Sequence, residues 1–513
     1  MSRYNTNKPK NTSAVINHQG GTGYKLDPKL ELVSILATGM DNKFYETLGE
    51  REQRFINVIQ EVAKKDIEFV AKALVYARSV MGQRSVTHFG SVQLAKHLSG
   101  RSLARKFFSK RDRKKEVGGI VYRLDDMLEI IACYQALNPG KALPNAMKNG
   151  FKIALENADS YELAKYQGNG KSVSLIDVVN LVHPKPSKDM EDVFKKLMTG
   201  ELKQFNTVED KNTKAGQEVA KKVKEGTITK EEAAVELAEA KEENYIELIN
   251  TRKIGYLALL RNIRNIIKTG SKPELVKGAC ELLTDEKLIK QSLVFPHQID
   301  LALEVILSEF GADKATPFLK ALNTAYKLAI PNLVELFTSG RTAVVFDSSG
   351  SMSTPISLAN KKQGSEAAIA KASLIAATLA KGIGADVYHF ANSCKQIKVN
   401  PLDTVNTLKK QFLSVQGQVG YGTEFNSIFQ TLGNKYDRIF IISDMQGCDI
   451  IRNQVHNDKH IYSIDITGYG TSMFKPGSKI YPIYGYSADI YEMVKKVEID
   501  PKAIIKEIEA IVI

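Results

Sequence analysis

From about Leu30 to Ser339 the apolar positions recur every three or four residues. Residues 52–65 place Phe55, Ile59, Val62 and Ala63 on one helical face. Residues 120–137 do the same with Ile120, Leu124, Leu128, Ile131 and Leu137, and residues 254–267 with Ile254, Leu257, Leu260, Ile263 and Ile267. Pro and Gly punctuate these stretches at Asn138-Pro139-Gly140, Pro144, Pro184, Pro186 and Pro296. Thr229 followed by Glu232 reads as a capping box that opens a helix through Leu248. The surrounding Lys- and Glu-rich segment, 186–247, reads as a solvated helical face. Short amphipathic helices in series, with no strand signal and no strict repeat, predict stacked helical pairs.

The pattern changes after Gly340. Thr342–Phe346 is a short apolar, β-branched run, and strands are also predicted at Asp386–Phe390, Arg438–Ile442, Ile461–Ile466 and Ile480–Ile483. Helices are predicted between them at 365–381 and Thr423–Leu432, and again over 487–511. Buried strands alternating with helices predict an α/β doubly wound parallel sheet. The stacked pairs before it are of the HEAT type. Residues 1–25 read as a polar N-terminal arm. Its Gly20, Gly21 and Gly23 form a turn and not a phosphate cradle, since no strand precedes them. The expected organisation is an arm at 1–25, a helical domain at 26–340 and an α/β domain at 341–513.

A chain of 513 residues that is 43% hydrophobic is long enough for two or three cores. Cys133, Cys280, Cys394 and Cys448 are dispersed and form no C-x-x-C pair, which fits a reducing cytoplasm better than a zinc ribbon or a disulfide framework. The first residues carry no apolar signal-peptide core, and no apolar run approaches the ~20 residues that cross a bilayer. A cytoplasmic protein without a membrane partner is expected. The net charge of +13 is uneven: residues 51–150 hold 19 basic and 9 acidic side chains, whereas residues 341–513 hold 19 and 16. Such a local excess favours a polyanion such as nucleic acid, the alternative being an ordinary solvated surface.

The first strand of the α/β region runs into Asp347-Ser348-Ser349-Gly350-Ser351. Ligands of doubly wound sheets bind beyond the C-terminal ends of the strands. Alternate spacing on an extended loop lets Asp347, Ser349 and Ser351 share one pocket. Thr423 follows in the Gly-rich loop Gly420-Tyr421-Gly422, and Asp444 ends another predicted strand. All these donors are oxygens, which suits a hard divalent cation, Mg²⁺ above all, and not Zn²⁺. The alternative is that Ser349 and Ser351 merely cap a helix. His389 is read as structural, and no evident base accompanies the oxygens. The set resembles the metal-ion-dependent adhesion site of the von Willebrand factor A family. That resemblance implies direct ligation by Asp347, Ser349 and Ser351, direct or water-mediated ligation by Thr423 and Asp444, and one position open to a partner's acidic group.

Asn17-His18-Gln19-Gly20-Gly21, residues 142–186, Ile254–Ile263 and Arg341–Met352 carry a second likeness. Over nearly its whole length the chain resembles the TROVE-domain family of Ro RNA-binding proteins. This resemblance implies a monomeric ring of HEAT-like repeats closed by the A-type domain, small structured Y RNAs on a basic surface, and single-stranded 3′ ends of misfolded RNAs in a central hole. It further implies an exoribonuclease partner and no catalysis by the chain itself. Where the family's central helix carries a His, a Lys and an Arg, this chain has Leu175, Ile176 and Asn180; His183 and Lys185 remain as candidates for RNA contact, His183 reading equally as a helix-end residue. The densest basic run is elsewhere: Arg101, Arg105, Lys106, Lys110, Arg111, Arg113, Lys114 and Lys115, interrupted by Phe107 and Phe108, which read as core in preference to base-stacking platforms. The expected function is non-catalytic RNA binding in RNA quality control and ribonucleoprotein assembly. The alternatives are a metal-dependent scaffold for an acidic protein partner and a metal-assisted nuclease.

Overall fold

A computed structural model describes residues 14–41, 43–98, 100, 102–202, 208–269, 272–292, 294, 296–310, 312–329, 340–353, 367–449, 451, 459–475, 477, 479–485 and 490–513. They group into two compact units, Met1–Ala154 with Asn332–Ile513, and Leu155–Pro331. The predicted helical stretch is thus divided: its first part packs with the α/β region.

Leu155–Pro331 is helical throughout its described elements. Thr229 and Glu232 make the expected capping box, the Glu232 N–H donating to Thr229 Oγ1 at 3.2 Å and the Thr229 N–H to Glu232 Oε2 at 2.8 Å, and the helix runs Lys230–Asn250. It packs against the helix Val208–Lys224, and Pro296–Glu309 packs against Ala312–Leu328 in the same paired manner. Ile254, Leu260, Ile263 and Ile267 are buried along and just before the helix Tyr256–Thr269, on the face their spacing predicts.

In the other unit the long helix Leu48–Ser79 buries Phe55, Ile59, Val62 and Ala63. It is kinked at Asp66, whose carboxylate accepts from the Phe69 N–H at 3.0 Å and so restarts the helix. The helix Asp125–Leu137 starts later than predicted, after a bend that buries Ile120 and Leu124; Leu128 and Ile131 are buried on it, but Leu137 at its end is exposed. Two hairpins depart from the strand-free expectation. β1 (Ala14–Ile16) and β2 (Thr22–Lys25) pair antiparallel in the stretch read as a polar arm, and β3 (Arg111–Asp112) and β4 (Val117–Gly118) pair inside the basic run. Strands this short show no alternation, and β3 is made of two charged residues; partners elsewhere in the chain hold them.

The α/β region supplies β5 (Thr342–Asp347), β6 (Asp386–Phe390), β7 (Cys394–Ile397), β8 (Arg438–Ser443), β9 (His460–Asp465), β10 (Thr471–Ser472) and β11 (Ile480–Tyr484). Six of them form one sheet in the order β11-β9-β8-β5-β6-β7, parallel except for the antiparallel edge strand β7. β10 instead pairs with β2, giving the first hairpin a third strand. Along β5, Ala343 and Val345 face a core with Phe390, Phe425 and Ile441, while Phe346 stacks on Phe412 on the other face. Both faces are therefore covered, and the β-branched runs of the central strands are buried as a doubly wound sheet requires. β5 and β8 lie side by side, so Asp347 and Asp444 emerge together at their C-terminal ends.

Candidate metal centre and basic surface

Asp347, Ser349, Ser351, Thr423 and Asp444 are all buried. The Asp347 carboxylate accepts from the Ser349 N–H at 2.8 Å with one oxygen and from the Ser443 hydroxyl at 2.6 Å with the other. The Ser349 and Ser351 hydroxyls lie 3.3 Å apart. The Gly350 N–H donates to Tyr421 O at 3.0 Å, tying the first loop to the Gly-rich loop that carries Thr423. That second loop is folded around Asn392, whose Oδ1 accepts from the Tyr421 and Gly422 N–H groups, each at 2.9 Å. Gly420, at φ 92°, is required there: a Cβ would stand 2.0 Å from Asn392 Oδ1.

On the third loop, Asp444 Oδ1 accepts from the Gln446 N–H at 3.0 Å. Among the described residues, Thr423 Oγ1 and Asp444 Oδ2 are buried with no hydrogen-bond partner. Orphaned buried oxygens are rare and call for an unseen partner. The charges point the same way. Burial pushes the Asp347 carboxyl up to about 6. Burial, and then the charge of Asp347, push Asp444 well above the carboxylate range. Two adjacent buried carboxylates and three hydroxyls, two of whose oxygens lack a partner, fit a hard cation that would neutralise the pair. Among the described residues no group of three or more His, Cys, Asp or Glu side chains is gathered for a metal. Burial, and then Lys395, lower the pKa of His389 to about 4, and its Nδ1 lies 3.0 Å from the Ser348 hydroxyl. Ser443, at the end of β8, and Asn392 and Gln446, in loops, position the candidate ligands; they escape sequence reading because single polar residues at strand ends and in loops carry no periodic signal.

The basic run is sorted by exposure. Arg101 lies outside the described residues. Arg105, Lys106, Arg113, Lys114 and Lys115 are exposed, and Lys110 is half-buried. Arg111 is a correction: it is buried, and its guanidinium donates to Gly118 O at 2.9 Å, Glu116 O at 2.7 Å and Val512 O at 3.4 Å, so it braces the β3–β4 hairpin and does not face a ligand. Asp112 Oδ1 accepts from the Lys114 and Lys115 N–H groups at 2.9 and 3.1 Å, shaping a tip of three cations. The guanidinium of Arg113 lies over the Tyr122 ring, 4.6 Å from its centre, and donates to Tyr122 O. Phe107 and Phe108 are fully buried, in core and not on a stacking platform. In the other unit, His183 ends the helix Leu175–Val182 in the left-handed conformation, φ 47°, with its side chain exposed. Lys185 is also exposed, and its N–H donates to Glu156 at 2.9 Å.

Comparison with protein families matches residues 26–246 to the TROVE domain. Comparison with curated proteins gives no match. Among solved structures the chain is similar to the Ro (Rsr) protein of Deinococcus radiodurans, with a TM-score of 0.57 at 16% identity over 91% of this chain and 99% of the other. At that identity the likeness speaks for the fold.

Proposed function

We propose that the chain, in which residues 26–246 match the TROVE domain and whose fold is similar to that of a Ro protein, is a non-catalytic RNA-binding protein. The observation that carries this reading is the exposed cationic group Arg105, Lys106, Arg113, Lys114 and Lys115, set on a braced helix and hairpin within the matched domain. Cations on a fixed backbone engage phosphates at little cost in order, and no base-specific contact is needed. In this reading the ligands are small structured RNAs of the Y type and misfolded RNAs with single-stranded 3′ ends. The role is RNA quality control and ribonucleoprotein assembly in the cytoplasm, with an exoribonuclease acting on the RNA presented. Among the described residues no helix is long and apolar enough to cross a membrane.

Competition binding with matched RNAs that differ only in a 3′ extension tests this reading. The tailed RNA is expected to bind more tightly, since a single strand bends and offers its bases where a stiff duplex does not. Equal affinities would overturn the preference for ends. A tail effect that persists unchanged in the double variant His183→Ala, Lys185→Ala would take those two residues out of the account.

A second reading is favoured by the partnerless oxygens of Thr423 and Asp444. Asp347, Ser349, Ser351, Thr423 and Asp444 would hold one Mg²⁺, which supplies positive charge and an open position for a carboxylate from a protein partner. The two readings are compatible in one chain.

A further inference from the structure

The turn between β1 and β2, Asn17 to Gly21, is seated on the loop that follows Asp444. The Asn17 carboxamide donates to Gly447 O at 2.8 Å, while its oxygen accepts from the Gln19 and Gly21 N–H groups at 2.9 and 3.2 Å. The His18 N–H donates to Gln446 Oε1 at 3.0 Å. Gln446 gives its backbone N–H to Asp444 Oδ1 at 3.0 Å and its Nε2 to Met445 O and Thr471 Oγ1, each at 3.0 Å. Thr471 belongs to β10, the strand paired with β2. A Cβ on Gly21 would stand 2.3 Å from Gly447 O, so the two backbones are in direct contact. From its other side the same loop holds the Thr423 carbonyl, through the Cys448 N–H at 2.9 Å.

Tyr45 also joins the turn. Its hydroxyl accepts from Gln19 Nε2. The Tyr45 ring stacks on His18, with centroids 5.4 Å apart. Met445, directly after Asp444, sits at φ 57°, a conformation a non-glycine residue keeps only when its surroundings over-determine it. Its N–H donates to Ser443 Oγ and its carbonyl accepts from Gln446 Nε2, each at 3.0 Å.

We propose that the β1–β2 hairpin is a clasp on the metal centre, so that docking of the Asn17–Gly21 turn and binding of a divalent cation are coupled. This rests on reading the five-oxygen set as a metal site. Gln446 is the positioning residue. With its carboxamide held by His18, Met445 and Thr471, its N–H is aimed at Asp444 Oδ1, and Oδ2 is left for the ion. Partners that orient a ligand in this way alter metal affinity without touching the metal. Coupling is reciprocal: whatever the hairpin adds to cation affinity, the cation adds to hairpin docking.

The full-length protein is titrated with MgCl₂ by calorimetry, as wild type and as Asn17→Ala. Amide hydrogen exchange over residues 14–25 of the wild type is compared in MgCl₂ and in EDTA. The variant should bind Mg²⁺ roughly tenfold more weakly, the lower end of such indirect effects. Mg²⁺ should slow exchange at the His18 and Gly21 amides severalfold. Wild-type exchange indifferent to Mg²⁺, or a variant with undiminished affinity, overturns the coupling while leaving the metal site standing. No heat from the wild type overturns the metal site and the coupling together. Should the variant fail to fold, the wild-type exchange decides alone.

Discussion

Asp347 supplies the full charge of the first loop of the candidate metal centre, and it is buried. Substituting Ala removes that charge and the acceptor of both Ser349 and Ser443. The calorimetric signal of Mg²⁺ or Mn²⁺ is expected to vanish in Asp347→Ala. Equal titrations of the two proteins would exclude the site. Asp126 shows the opposite balance. Its buried carboxylate accepts from Arg78 Nε at 3.0 Å and from the Tyr122 and Arg123 N–H groups at 3.1 and 2.9 Å, and lies 2.9 Å from His88 Nε2. Burial opposes its ionisation, but the His88 hydrogen bond and the Arg78 charge together outweigh burial and hold its pKa well below the usual carboxylate range. With the folded pKa depressed, its contribution is complete above the unfolded value of about 3.9 and is lost as pH falls through the folded one. Asp126→Asn leaves the buried Arg78 without its counter-charge and should cost about 3–5 kcal/mol at pH 7. Urea midpoints should show that gap narrowing below about pH 4; a gap independent of pH would refute the assignment.

At the scale of elements, long periodic segments were legible and short ones were not. The capping box at Thr229, the buried faces of the helices and the parallel strands β5, β6, β8 and β9 all follow from spacing and β-branched runs. The two-residue strands β3 and β4 do not, because Arg111 and Asp112 look like surface in any local window. That blindness also places Arg111 among the RNA contacts, when its guanidinium instead holds the hairpin together. The charge test therefore uses the exposed side chains Arg105, Lys106, Lys114 and Lys115. Neutralising them together should flatten the plot of log K for RNA against log salt by about 0.7 to 0.9 per lost phosphate contact. A slope that does not change would make the run a solvated face.

At the scale of the whole molecule, the five oxygens proposed as metal ligands lie in three loops, after β5, before the helix Asn426–Leu432 and after β8, each with its own local signature in the sequence. The proposed clasp has none: Asn17 and Gly447 are 430 positions apart, and a polar turn near a chain end carries no mark of where it docks. The helices before Ala154 likewise join the α/β region in one unit, although the sequence pattern divides them from it. RNA binding by the exposed cations is the central claim, and crosslinking in the protein's own cell, followed by sequencing of the recovered RNA, meets it most directly. The wild type should yield small structured RNAs and RNAs with single-stranded 3′ ends, at levels well above those from the protein neutralised at Arg105, Lys106, Lys114 and Lys115. Recovery that is the same from both proteins, or no RNA above background from the wild type, would contradict it.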